Sequence, residues 1–177
     1  MRNIKNSLPV IKQDGMGLLE VLVAIVVISF GLLGLGGLQI TGVRNNHVAY
    51  MRSIATQQAQ DIADRMRANK VGLAAGNYDS ISGTPSANSC ISTTTGCTPA
   101  QTAQQDTRQW NTNLSRLMPS GQGVVCIDGT PNDGLPGATA CDGAASAAAA
   151  ERLVIKIWWN ENKDSTNLQR FVTTFQK

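Results

Sequence analysis

A single carboxylate, Glu20, stands near the start of a run from Met16 to Leu38 that is otherwise apolar or glycine, with Ser29 as its one hydroxyl. As a helix these 23 residues span roughly 35 Å, enough to cross a hydrocarbon core of about 30 Å. A carboxylate costs up to ~3 kcal/mol at a bilayer centre and less near its surface. A charge kept at that cost points to something outside the isolated helix that uses it.

The other residues able to do chemistry are few. Cys90, Cys97, Cys126 and Cys141 all follow the apolar run, with no C-x-x-C and no histidine to complete a zinc site. Four cysteines allow three connectivities. Pairing neighbours, Cys90 with Cys97 and Cys126 with Cys141, closes two polar loops and contributes about 2–3 kcal/mol each. Crossed pairs would instead tie a flexible loop to Cys126, which sits in a strand pattern. Such usage suits an oxidising compartment. The one histidine, His47, lies in a helical pattern and has no partner for a triad or a metal site. Asp128, Asn132 and Asp133 are grouped like the start of a calcium loop, but the EF-hand spacing fails and no bidentate Glu follows, so they read as turn residues. No glycine loop precedes a helix to cradle phosphate. The expectation is a protein that is not an enzyme, with no cofactor and no metal.

Ahead of the apolar run lies a polar leader with Arg2, Lys5 and Lys12 against Asp14. Basic residues flanking a span stay cytoplasmic, so the leader is inside and the remainder exported. A secretory signal has a shorter, uncharged apolar core and an A-x-A-like cleavage site; here the run is longer, contains Glu20, and no such site follows. A cut between Gly15 and Met16 instead keeps the helix in the mature chain. It lowers the formal charge from +3 to +1, and from Val71 onward seven basic residues face eight acidic ones. The electrostatic footprint of a nucleic-acid binder is missing.

A basic leader ending in Gly15, then Met16, then Glu20 at the fifth mature position and an unbroken apolar helix resembles the type IV prepilins. The resemblance implies cleavage after Gly15 by prepilin peptidase, N-methylation of the new Met16 amine, and docking of the subunit through Glu20 paired with an N-terminal amine. The competing reading is a membrane anchor with a chance carboxylate. The run AQDIADRMRANK, and later Trp110, Leu114, Leu117, Pro119 and Gly121, resemble minor pilins of the PilV type.

These residues need elements to position them. Gly31, Gly34, Gly36 and Gly37 each cost ~1 kcal/mol against Ala in a helix. In lipid the helix survives, because unpaired backbone groups find no water there. The glycines serve close packing or local melting of the helix. Beyond Leu38 the pattern becomes amphipathic, with Ile40, Val43, His47, Tyr50 or Met51, Ile54, Gln58, Ile62 and Met66 three or four apart. A single helix from Met16 to about Lys70 is expected, then loop over 72–97. Thr98, Pro99 and Gln101 form a capping box opening a helix with Ala103, Trp110, Leu114 and Leu117 on one face. Trp110 reads as core. Strands are expected at Gln122–Asp128, Leu153–Trp159 and Leu168–Phe175, the last two forming a hairpin about a polar Asn160–Asn167 turn. The insert between the first two ends in an alanine-rich stretch that suggests a short helix.

The expected fold is α+β, a type IV pilin fold with a small antiparallel sheet packed on the stalk helix. Its parts are a removed leader (1–15), a transmembrane assembly helix (16–38), an amphipathic continuation (39–70) and a disulfide-containing head (71–177). As the resemblance implies, the protein is a minor pilin. It sits in the inner membrane as a single-pass chain with a periplasmic head, then in a surface pilus. Its partners are other minor pilins, the major pilin, prepilin peptidase, the inner-membrane assembly platform and membrane lipid, with no nucleic acid. In this role it joins a minor-pilin complex that primes assembly, at the filament tip. A type II secretion pseudopilin shares the leader, Glu20 and stalk; a pilus-borne adhesin is a further alternative.

Overall fold

A computed structural model describes residues 15, 17–92, 94–143, 152–161 and 168–177. The chain divides into two compact units between Asn45 and Asn46. Helix α1, Leu18–Ala68, runs through both. Asn69 interrupts it, and a short helix α2, Lys70–Ala74, follows, with the Asn69 side chain accepting a hydrogen bond from the Gly72 N–H at 3.1 Å. The single helix expected to about Lys70 thus ends at Ala68. Asn69 caps a new turn instead of continuing the old one, because its short amide competes for backbone donors.

In the second unit, helix α3, Pro99–Leu117, starts on the full capping box: Thr98 accepts from the Gln101 N–H, and the Gln101 side chain accepts from the Thr98 N–H. Four antiparallel strands, β1 (Ser80–Ser82), β2 (Gln122–Cys126), β3 (Arg152–Asn160) and β4 (Leu168–Gln176), lie in the order β1-β2-β3-β4. The β3–β4 hairpin pairs Arg152 with Gln176 and Asn160 with Leu168. The expected helix in the alanine-rich stretch and most of the hairpin turn lie outside the described residues.

The core forms where α1, from Met51 to Met66, and α3 meet one face of the sheet. Leu153, Ile155, Ile157 and Trp159 of β3 face Ile54, Ile62 and Met66, as the alternation in β3 requires. Ala55, Ala59 and Ala63 are also buried. Gly123 of β2 lies directly beneath the Trp110 ring, where a Cβ has no room.

Three expectations change. The 72–97 stretch is not all loop: it holds β1, which pairs with β2, and a 3₁₀ turn at Ser89–Ser92. Leu117 is 46% exposed rather than core, because α3 ends there and the next residue, Met118, takes the buried position. The apolar stripe of α1 is buried only from Met51 onward, while Ile40, Val43 and Tyr50 remain exposed.

Candidate functional site

The amino-terminal unit is a helix without a protein core. The Gly17 carbonyl accepts from Glu20 N–H at 2.9 Å, which opens α1 and sets Glu20, exposed, in its first turn. A carboxylate is favourable at a helix N-terminus. The most apolar stretch has a mean hydropathy of 2.7 and none of it is buried. Two hydroxyls bond back onto the helix: Ser29 donates to the Ile25 carbonyl at 2.7 Å and Thr41, just beyond the apolar run, to the Gly37 carbonyl at 3.1 Å. Polar groups satisfied within the helix, with apolar side chains on every side, suit an environment without water. No protein atom lies where a Cβ would be added at Gly31, Gly34, Gly36 or Gly37. Gly15 is exposed, and Met16, expected as the mature N-terminus, lies outside the described residues.

The head is joined across its elements by one polar network. Tyr78 is fully buried, and its hydroxyl donates to Asp106 of α3 at 2.6 Å. Arg65 of α1 reaches the other oxygen of Asp106 at 3.4 Å, Asp61 at 3.0 Å and Gln109 at 2.8 Å. Asn69 donates to the Tyr78 hydroxyl and to the Pro99 carbonyl. Burial, and then the bond to Asp106, hold the Tyr78 phenol well above its usual range. Trp110 donates its indole N–H to the Gln58 carbonyl at 2.9 Å, tying α3 to α1. Trp110 is core, as expected; Tyr78 carried no periodic signal.

On the opposite face of the sheet, Lys156 is fully buried. Its ammonium pairs with the buried carboxylate of Asp128 and with Asp133 at 3.0 Å, and donates to the carbonyls of Asp133 and Thr139. The turn acids that resembled a calcium loop are thus arranged around a lysine of the chain itself. Asp128 also accepts from the Thr130 N–H, and Asp142 from the Gly129 N–H. A hydrogen bond from Thr130, and then one from Lys156, hold the Asp133 carboxyl below its usual range. The Gly129 N–H, foremost, does the same for Asp142. Among the described residues no group of His, Cys, Asp or Glu is placed to hold a metal ion. His47 is exposed on α1.

Two disulfides join sequence neighbours. Cys90–Cys97 has its Cα atoms 4.9 Å apart and secures the turn before α3. Cys126–Cys141, at 6.0 Å, fastens the long β2–β3 connection over Val124 and Trp158. Both separations fall in the usual range.

Two protein families match the chain. Residues 11–36 match the prokaryotic N-terminal methylation motif, and residues 37–108 match the family described as type IV pilin Tt1218. No curated protein and no solved structure matches. The methylation motif spans Gly15, Met16 and Glu20, and with the exposed apolar helix it fits a membrane-anchored pilin. The two matches adjoin at residues 36 and 37 and so run without a gap from the leader through α1 into α3; together with the long helix and the small antiparallel sheet that follows, they support a type IV pilin-like protein.

Proposed function

We propose that this chain is a minor pilin of a type IV pilus, of the PilV type, which joins other minor pilins in a complex that primes filament assembly at the tip. The leader, residues 1–15, is removed by prepilin peptidase after Gly15, and the Met16 amine is methylated. Residues 16–38 hold the subunit in the inner membrane with its head, residues 71–177, in the periplasm, before it enters the surface filament. Glu20 docks the subunit by pairing with an N-terminal amine.

The observation that supports this reading most is the solitary exposed carboxylate in the first turn of α1, at the head of an apolar stretch none of which is buried. In a low-dielectric setting a charge-assisted contact at that position is worth far more than in water. The test is recovery of the tagged protein from sheared pili. Its intact mass should begin at Met16 and carry one methyl group. Glu20→Gln, which inserts in lipid at least as well, should be processed normally yet be poorly incorporated. Incorporation of Glu20→Gln at wild-type levels refutes the docking role, and a mass that still includes Arg2 to Asp14 refutes the processing.

A further inference from the structure

The two edges of the sheet differ. β1, at one edge, is three residues long. β4, at the other, pairs with β3 through nine consecutive residues without a bulge. Among the described residues, no backbone hydrogen bond reaches β4 from any element but β3. Peptide groups of successive strand residues point alternately to the two sides, so about half of those in β4 face away from β3. Such edges template a further strand, and proteins blunt them with proline, lysine, bulges or brevity. β4, Leu-Gln-Arg-Phe-Val-Thr-Thr-Phe-Gln, uses none of these. Its one charge, Arg170, is drawn over the outer face to the carbonyls of Gly134 and Asn132 and does not guard the edge.

Each face beside this edge carries a cleft. On the outer face, Leu168, Arg170 and Val172 with Leu135 and Trp158 line one of about 430 Å³. On the inner face, at the far end of β4, Phe175 with Leu73, Ala74, Arg67 and Lys70 lines another of about 400 Å³. An added strand sends its side chains alternately to the two faces, so both clefts are within reach of one occupant. The inner cleft combines apolar side chains with three cationic ones, Arg67, Lys70 and Lys177. Arg67 is held by Asp64 and lies 5.1 Å over the Phe175 ring, and Lys177 pairs with Asp79. Lys70, exposed, has no partner among the described residues.

We infer that the free edge of β4 receives an extended strand from a different subunit of the pilus, carrying an acidic side chain that meets Lys70. Backbone hydrogen bonds supply the affinity and the two clefts the selectivity. A second copy of this chain offering its own β4 does not fit, since that strand contains no Asp or Glu. The inference rests on the pilus reading above.

The experiment compares amide hydrogen exchange of the full chain in detergent with that of the chain recovered in complex from membranes. Outward-facing amides of β4 should exchange on the order of tenfold or more slowly in the complex. Val172→Pro and Thr173→Pro are adjacent, so one of them removes an N–H that faces away from β3. The variant that keeps the wild-type melting temperature should lose capture by the other subunits, and Lys70→Glu should weaken it. If the chain is recovered with other pilins while β4 exchanges as it does alone, strand addition is overturned and the pilus reading stands. If β4 is already protected in detergent at the mass of a dimer, the occupant is a second copy and the inference fails. If no pilin is ever recovered with the chain, both readings fall.

Discussion

Replacing Lys156 with methionine tests whether the outer face of the sheet is organised around one buried charge. Methionine fills a similar volume but leaves the Asp128 carboxylate, itself fully buried, without its cation. It also strands the carbonyls of Asp133 and Thr139, at 3.1 and 3.0 Å from the ammonium. Breaking a buried pair from one side costs about 3–5 kcal/mol, a large share of the roughly 5–15 kcal/mol that holds a domain folded. For a unit of this size each kcal/mol moves the melting temperature by roughly 3–5 °C, so a fall of roughly 10–20 °C is expected. All three tryptophans, Trp110, Trp158 and Trp159, are buried in this unit, so their fluorescence in the full chain in detergent reads its unfolding apart from the apolar helix. Lys156→Met combined with Asp128→Asn removes both charges and keeps an acceptor for the Thr130 N–H. The double variant should recover a good part of the loss, giving a coupling energy well above that of a surface pair. A loss under about 1 kcal/mol for Lys156→Met alone, with no recovery in the double variant, refutes the reasoning by placing the pair among solvated surface bridges.

Two further outcomes follow from the head. Tyr78→Phe should destabilise it by about 1.5–3 kcal/mol, the worth of a hydrogen bond to a charged partner, as read by chemical denaturation. Because burial raises the folded-state pKa of Tyr78, its contribution is intact below the free phenol's value of about 10 and is lost as pH rises beyond it. A pH titration of stability should show that alkaline loss in the wild type and not in Tyr78→Phe. Opening Cys126–Cys141, with a separation of 15 residues, should cost about 3 kcal/mol, and opening Cys90–Cys97, with a separation of 7, somewhat less. Only the first should admit proteases to the β2–β3 connection, since that bridge fastens it over Trp158.

Much of this architecture was legible in the sequence because its signals are local. A capping box needs only Thr98, Pro99 and Gln101; a hairpin needs only alternation on two strands a few residues apart. The apolar helix and its solitary Glu20 are read from consecutive residues, and the paired cysteines lie 7 and 15 residues apart. The remainder depended on what distant segments bring together. Ser80–Ser82 has no pattern of its own and becomes a strand only because β2, more than forty residues later, offers it an edge. Tyr78 is isolated in a polar stretch until Asp106, 28 positions on, and Asn69 close around its hydroxyl. Lys156 belongs by alternation to the solvent face of β3, yet it is fully buried, because the connection after β2 folds back over it and supplies Asp128, Asp133 and two carbonyls. Periodicity assigns a residue to one face of an element; whether that face meets water is decided by the segments that pack against it.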